Sequence, residues 1–146
     1  MNARPAAGRR AALGVLGVIA LGLAGAALGQ DPRAAQVQAA ARDWLNLTDK
    51  LNATASFNAA GARFREPINL EEWTDALAKA RAPLGAVEQR TLVETAFDKA
   101  AAGGTEFEIA MVRFRTAFAK KIESSETVTL EHEADGTWRV IGYFIR

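Results

Sequence analysis

The hydrophobic period of this chain changes once, near Leu84, and that switch restricts it to helices followed by strands. Upstream, Asp31-Pro32 reads as a helix start, with a side-chain acceptor before a proline at the first helical position. Val37, Ala40, Ala41, Trp44, Leu47, Thr48 and Leu51 then recur at helical spacing. A second helix is predicted from Ala53 to Arg65, with Phe57, Ala60 and Phe64 on one face and Pro67 as its stop. Asn69 with Glu72 is a capping box, and Leu70, Trp73, Leu77 and Ala80 form the stripe of a third helix that Pro83 and Gly85 close.

Downstream the alternation is that of half-buried strands. Val87, Thr91, Val93 and Phe97 are expected inward, followed by a connection at Ala100–Gly104. Between Phe107 and Lys120 the parity slips from Phe107, Ile109 and Met111 to Val112, Phe114 and Phe118, which predicts a β-bulge in that strand. Ser124 and Ser125 are expected in a turn. Two further strands, Glu126–Glu133 and Thr137–Arg146, flank Asp135-Gly136, a hairpin signal. Hydrophobic matching favours the register that pairs His132 with Trp138, Glu131 with Arg139 and Leu130 with Val140. It gathers Val128, Leu130, Trp138, Val140 and Phe144 on one face. Ile141, Tyr143 and Ile145 then fall on the other, a face apolar enough to suggest a homodimer contact. The fold class is therefore α+β: three N-terminal helices packed on a bent four-stranded antiparallel sheet.

Residues 1–29 are of another composition. Arg4, Arg9 and Arg10 precede an apolar run from Ala11 to Leu28, and Ala27-Leu28-Gly29 is a small-x-small site, so the segment reads as a secretory signal peptide. Six glycines between Gly8 and Gly29 weaken it as a spanning helix. The alternative is an uncleaved inner-membrane anchor over residues 11–28 with the domain facing the periplasm. The segment holds three of the 18 basic residues and none of the 17 acidic ones. The domain expected over 30–146 thus carries 15 against 17, net −2, rather than the +1 of the whole chain. That balance, with Glu106, Glu108, Glu123 and Glu126 interleaved among Arg113, Arg115, Lys120 and Lys121, argues against a nucleic-acid partner. The absence of cysteine removes disulfides, thiolate nucleophiles and cysteine metal sites.

The order of elements resembles the nuclear-transport-factor-2-like, or cystatin-like, cone fold. A second resemblance is carried by specific residues. Arg81-Ala82-Pro83-Leu84-Gly85 with Arg90, Phe114-x-x-x-Phe118-Ala119-x-Lys121, Glu126-Thr127-Val128-Thr129-Leu130 and Asp135-Gly136-x-Trp138-Arg139-Val140-x-Gly142-Tyr143-Phe144-Ile145 are similar to a family of bacterial exported proteins. That family is the domain of unknown function 4019. The likeness runs from about Ala39 to Arg146, and Gly103–Phe107 departs from it by lacking a proline and a tyrosine. It implies export and a small α+β domain, and transfers no catalytic residue.

Candidates for chemistry are few. His132 stands alone between Glu131 and Glu133, whose side chains leave to the other face of a strand, so no zinc site can be assembled around it. Arg81 and Arg90 bracket the helix-to-strand junction. They read as arginines holding a carboxylate or helix carbonyls, with an anion-binding mouth as the alternative. Glu71-Glu72 and Glu123/Glu126 fit helix N-terminal charge and a polar turn, and Ser56, Ser124 and Ser125 form no nucleophile elbow. No catalytic set, cofactor or metal site is expected. The function expected is an exported, non-catalytic module that binds a small ligand or a protein partner. The alternative is a cone-fold enzyme using a pocket acid or His132 for proton transfer. Export predicts that the mature periplasmic or secreted protein begins near Gln30 on N-terminal sequencing; Met1 retained in a membrane fraction would contradict cleavage.

Overall fold

Helix α1 (Arg33–Asp49) begins where Asp31 can serve its first turn: the Asp31 carboxylate accepts the Arg33 N–H at 2.9 Å, and its carbonyl accepts that of Ala34 at 2.8 Å. The computed structural model describes residues 31–146, so the signal or anchor segment expected over residues 1–29 lies outside the described residues. Among the described residues no helix is long and apolar enough to cross a membrane. The buried stripe of α1 is Ala34, Val37, Ala41, Trp44, Leu45 and Thr48. Leu51, expected to extend it, instead lies exposed beyond the helix with φ of 54°.

The helix expected from Ala53 to Arg65 divides into α2 (Ala53–Ala59) and α3 (Ala62–Arg65). Ala60 and Gly61 between them are extended, and the Gly61 N–H donates to the Val140 carbonyl at 2.8 Å. The break therefore covers the free edge of the last strand. Helix α4 (Leu70–Arg81) keeps the predicted capping box, with both reciprocal bonds at 2.8 and 2.9 Å. Its stripe ends differently, since Ala80 is exposed and Arg81, one turn after Leu77, is buried.

Strands β1 (Val87–Ala102), β2 (Thr105–Phe118), β3 (Lys121–His132) and β4 (Trp138–Ile145) form one antiparallel meander in chain order. Gly103 and Gly104, both at positive φ, make the two-residue turn from β1 to β2. The hairpin register is the predicted one: His132 pairs with Trp138, Glu131 with Arg139 and Leu130 with Val140.

The bulges lie elsewhere than expected. Strand β2 keeps one phase, burying Ala110, Val112, Phe114, Thr116 and Phe118. The register shifts fall in β1 at Val87/Gln89 and Leu92/Glu94, in the β2–β3 pairing at Thr116/Phe118, and in β4 beside Thr129/Leu130. Such insertions bend the strands that carry them. They also invert parity. Val93 is 49% exposed rather than inward, and past Ile141 it is Tyr143, paired with Val128, that faces the core while Phe144 is 52% exposed. Ile141, Tyr143 and Ile145 consequently do not share one outer face. Ser124 and Ser125, expected in a turn, are inside β3.

The concave side of the sheet is filled by the helices. Trp44 meets Phe64, Trp73 and Tyr143 at ring distances of 5.8, 5.8 and 5.2 Å, and Phe64 meets Trp73 at 4.9 Å. Such pairs contribute roughly 0.5–1.5 kcal/mol each beyond the area they bury. Both indoles are satisfied by one residue: Trp44 donates to the Ser56 carbonyl at 2.8 Å and Trp73 to its hydroxyl at 3.0 Å. At Gly61 a Cβ would stand 2.8 Å from Glu133 Oε1, 3.3 Å from Ile141 Cγ2 and 3.4 Å from Arg139 Cβ. Gly61→Ala is expected to cost about 1–3 kcal/mol by overpacking the helix break against β4, measurable by denaturant unfolding.

Candidate functional site

Two polar assemblies stand out, one inside the cone and one at the open end of the sheet. The inner one is built where the C-terminal ends of α1 and α4 meet β1 and β3. Helical phase turns Thr48 inward on α1 and Arg81 inward on α4, while strand phase turns Arg90 and Glu126 inward from the sheet. Arg81 donates to Thr48 Oγ1 at 3.1 Å and to Asp49 Oδ1 at 2.7 Å. Arg90 grips both Asp49 oxygens at 2.8 and 2.9 Å and reaches Glu126 Oε1 at 2.8 Å. Glu126, fully buried, also accepts from Thr116 Oγ1 at 2.5 Å and from the Tyr143 hydroxyl.

Two guanidiniums thus face two carboxylates, and the cluster is neutral. Burial by itself would raise the Asp49 pKa, but the hydrogen bonds from Arg90 and Arg81 outweigh it and hold the group below its ordinary 3.8. Burial would likewise lower Arg90, and its bonds to Asp49 and Glu126 override that and raise it. The Tyr143 phenol is pushed far above its ordinary 10.0, first by burial and then by the neighbouring Glu126 charge. Almost every donor and acceptor is engaged within the cluster; Arg81 Nε is the exception.

The outer assembly is a cleft of about 690 Å³. The β1–β2 hairpin runs past the start of the β2–β3 pairing at Ile109 and forms one wall with Lys99, Glu106, Phe107 and Glu108. Arg63 and Glu66 come from the α3 side, and Glu131, His132 and Glu133 from the end of β3. The Arg63 guanidinium lies 3.9 Å over the Phe107 ring and bonds Glu131 at 3.1 Å. His132 stacks on Trp138 at 4.6 Å, with Nδ1 3.2 Å from Glu108 Oε2 and Nε2 3.2 Å from the Gly136 carbonyl. Glu133 Oε1 is buried without a hydrogen-bond partner. No trio of histidine and carboxylates close enough to hold a metal ion occurs among the described residues.

The three residues singled out by sequence are therefore not brought together. Arg81 and Arg90 share the inner cluster, and His132 lies at the other end of β3. Sequence reasoning missed Asp49 and Tyr143 and assigned Glu126 to a polar turn. The parity of Glu126 with Val128 and Leu130 was the signal that it points inward. Nothing in the sequence marks Arg63 as a neighbour of Phe107, since that contact depends on the break at Gly61.

Comparison with known proteins agrees with this architecture. The family model described as "Protein of unknown function (DUF4019)" matches residues 40–143. No curated protein matches the chain. Among solved structures, the chain is similar to a Campylobacter jejuni protein provisionally assigned as an NTF2-like transpeptidase. The TM-score is 0.51 and the identity 16%, over 70% of this chain and 94% of that one. The likeness shows the fold.

Tyr143 is the single tyrosine, so its ionisation can be read without interference. Its folded pKa is raised, so the stability it contributes is complete below pH 10.0 and declines as pH rises beyond that. The tyrosinate absorbance band is expected to appear only together with alkaline unfolding. Tyr143→Phe should make the loss of stability above that pH shallower, while costing about 1–3 kcal/mol at neutral pH by leaving a Glu126 oxygen short of a donor. Tyrosinate forming in the folded protein near the ordinary phenol pKa would contradict the burial.

Proposed function

The chain belongs to the DUF4019 family of proteins of unknown function, and from the geometry of this member we propose an exported, non-catalytic binding domain whose ligand surface is the His132-end cleft. The carrying observation is the imbalance of the cleft walls. Glu66, Glu106, Glu108, Glu131 and Glu133 line the cleft with Arg63 and Lys99 around the ring of Phe107; Arg33, Arg63 and Arg139 pair Glu108, Glu131 and Glu133, and Glu66 and Glu106 have no ion pair among the described residues. Such a wall favours a ligand or protein segment that presents positive charge and a flat apolar part, as the protein's own Arg63 already does against Phe107 and Glu131.

The inner cluster supports the same reading from the other side. Its carboxylates, Asp49 and Glu126, are both ion-paired, which weighs against either serving as a free acid or base. The provisional assignment of the Campylobacter jejuni protein as a transpeptidase raises the question of a nucleophile. The chain has no cysteine, and among the described residues Thr105 is the one hydroxyl side chain lining the cleft. A second reading, proton transfer by His132 oriented by Glu108, is favoured by their 3.2 Å contact on the cleft wall. Both ring nitrogens are engaged, which weighs toward binding.

Titration of the protein with a short arginine peptide, followed by amide NMR, is expected to shift Phe107, Glu131 and Glu133. The double charge reversal Glu66→Lys with Glu106→Lys, at exposed cleft positions, should weaken binding by about tenfold while leaving unfolding unchanged. Shifts confined to other surfaces would refute the site. Turnover of a substrate that is abolished by His132→Gln would favour the enzymatic reading.

A further inference from the structure

The β1–β2 hairpin is longer than the strand beside it. Its ladder continues to Ala102 and Thr105, whereas the β2–β3 ladder begins only at Ile109 and Glu131. Beyond His132 the chain turns off toward β4, with Glu133 donating its N–H to the Thr137 carbonyl at 2.9 Å. The two-residue Gly103-Gly104 turn makes Ala102 and Thr105 a hydrogen-bonded pair. Peptide groups alternate between the two edges of a strand, so those of Glu106 and Glu108 point away from β1, to the β3 side. Among the described residues, no residue of β3 pairs with Glu106, and no backbone bond from outside the strand ladders reaches it.

The cleft at the His132 end follows this edge. Thr105, Glu106, Phe107 and Glu108 all line it. Neighbouring side chains leave a strand on opposite faces, so a cleft that touches all four runs along the rim of β2 rather than over one face. An unpaired rim is a template for another strand, and the charges on it decide which. Glu106 is exposed and without an ion pair among the described residues, whereas Glu108 is held by Arg33 at 3.3 Å. A second copy of the chain, adding through the same rim about Glu106, would set Glu106 against Glu106. Like charges directly opposite destabilise a strand pair, and a cation opposite Glu106 makes the favourable one. The next residue of such a strand falls on the other face, that of Phe107.

We propose that the rim of β2 at Glu106 takes an extended segment of a partner protein by strand addition, with a cationic residue opposite Glu106 and an apolar one opposite Phe107. The segment continues the line of β3 from where His132 ends it, along about 13 Å of β2. This rests on the reading of the His132-end cleft as a ligand surface, and adds that the backbone of the ligand is recognised as well as its charge. Main-chain hydrogen bonds supply the affinity, and the alternation of side chains supplies the selectivity.

The probes are a capped peptide of alternating valine and arginine and two isomers of it, one N-methylated on every arginine and the other on every valine. A residue opposite Glu106 exchanges hydrogen bonds with it through its own N–H and carbonyl, while the peptide groups of its neighbours face away. Methylation of the arginine nitrogens is therefore expected to weaken binding about fivefold or more, and methylation of the valine nitrogens less than about twofold. Amide NMR should also show the Glu106 N–H exchanging with deuterium at least about tenfold more slowly in the saturated complex. Equal affinity of the two isomers, with shifts still at Phe107 and Glu131, leaves the cleft a binding surface and overturns strand addition. Absence of shifts at the cleft with every peptide defeats both. Protection of the Glu106 amide by self-association, without peptide, would overturn the choice of partner in favour of a second copy.

Discussion

Glu126 is the residue on which the packing of helices against sheet turns. A carboxylate with no access to water is stable only if its charge is compensated, and here Arg90, Thr116 and Tyr143 all converge on it. Arg90 then carries the constraint to Asp49 at the end of α1, and Asp49 carries it to Arg81 at the end of α4. Removing one member would leave an uncompensated buried charge at a cost of roughly 3–5 kcal/mol. Against a total stability of about 5–15 kcal/mol for a domain, that is a large fraction. The cluster is not for that reason a source of net stability, since an apolar replacement of equal volume could do as well. Its contribution is to accept only one placement of two helix ends on the sheet.

That constraint explains where ligand-facing surface can lie. The concavity, which a cone fold could have left hollow, is occupied at one side by the ion cluster and at the other by Trp44, Phe64, Trp73 and Tyr143. Tyr143 belongs to both, with its ring on Trp44 and its hydroxyl on Glu126. Accessible chemistry is therefore displaced to the sheet ends, where hairpins overrun their neighbours and charged residues need no burial.

How much of this was legible in the sequence depends on which forces fix each element. The capping box at Asn69, the stripe of α1 from Val37 to Thr48 and the Asp135-Gly136 register follow from local hydrogen bonding and hydrophobic period, and all three are present in the fold. Local rules failed wherever an extra residue enters a strand. Between Val140 and Gly142 the ladder slips, so the parity that places Val140 inward also places Tyr143 inward, and Phe144 leaves the core. Alternation cannot announce such an insertion, because the residues on both sides are apolar: Ile141, Tyr143, Phe144 and Ile145 would suit either face. Gly61 failed for a different reason. Its extended conformation is set by a bond to Val140, 79 positions onward, and nothing nearby in sequence signals it. The ion cluster is similar, being composed of residues whose partners lie 32 to 41 positions away.

The near-neutral balance of the chain conceals a separation of charge along the sheet. Five glutamates line the cleft where β3 ends, two of them without an ion pair among the described residues, whereas Arg115, Arg146, Lys120 and Lys121 gather with Glu123 where it begins. Like charges held together repel, and exposed like-charge neighbours weaken a fold unless a partner relieves them. Arg113, one alternation before Arg115 on the same strand face, shows the usual remedy, since Glu94 lies 2.7 Å from it. Arg115 and Arg146 form no ion pair among the described residues, although Glu123 lies on the wall of the cleft they share. A net charge near zero would ordinarily argue against electrostatic recognition. With the two signs segregated, each end retains a local field set by its own surplus, and an oppositely charged group approaching either end is drawn by that field rather than by the total.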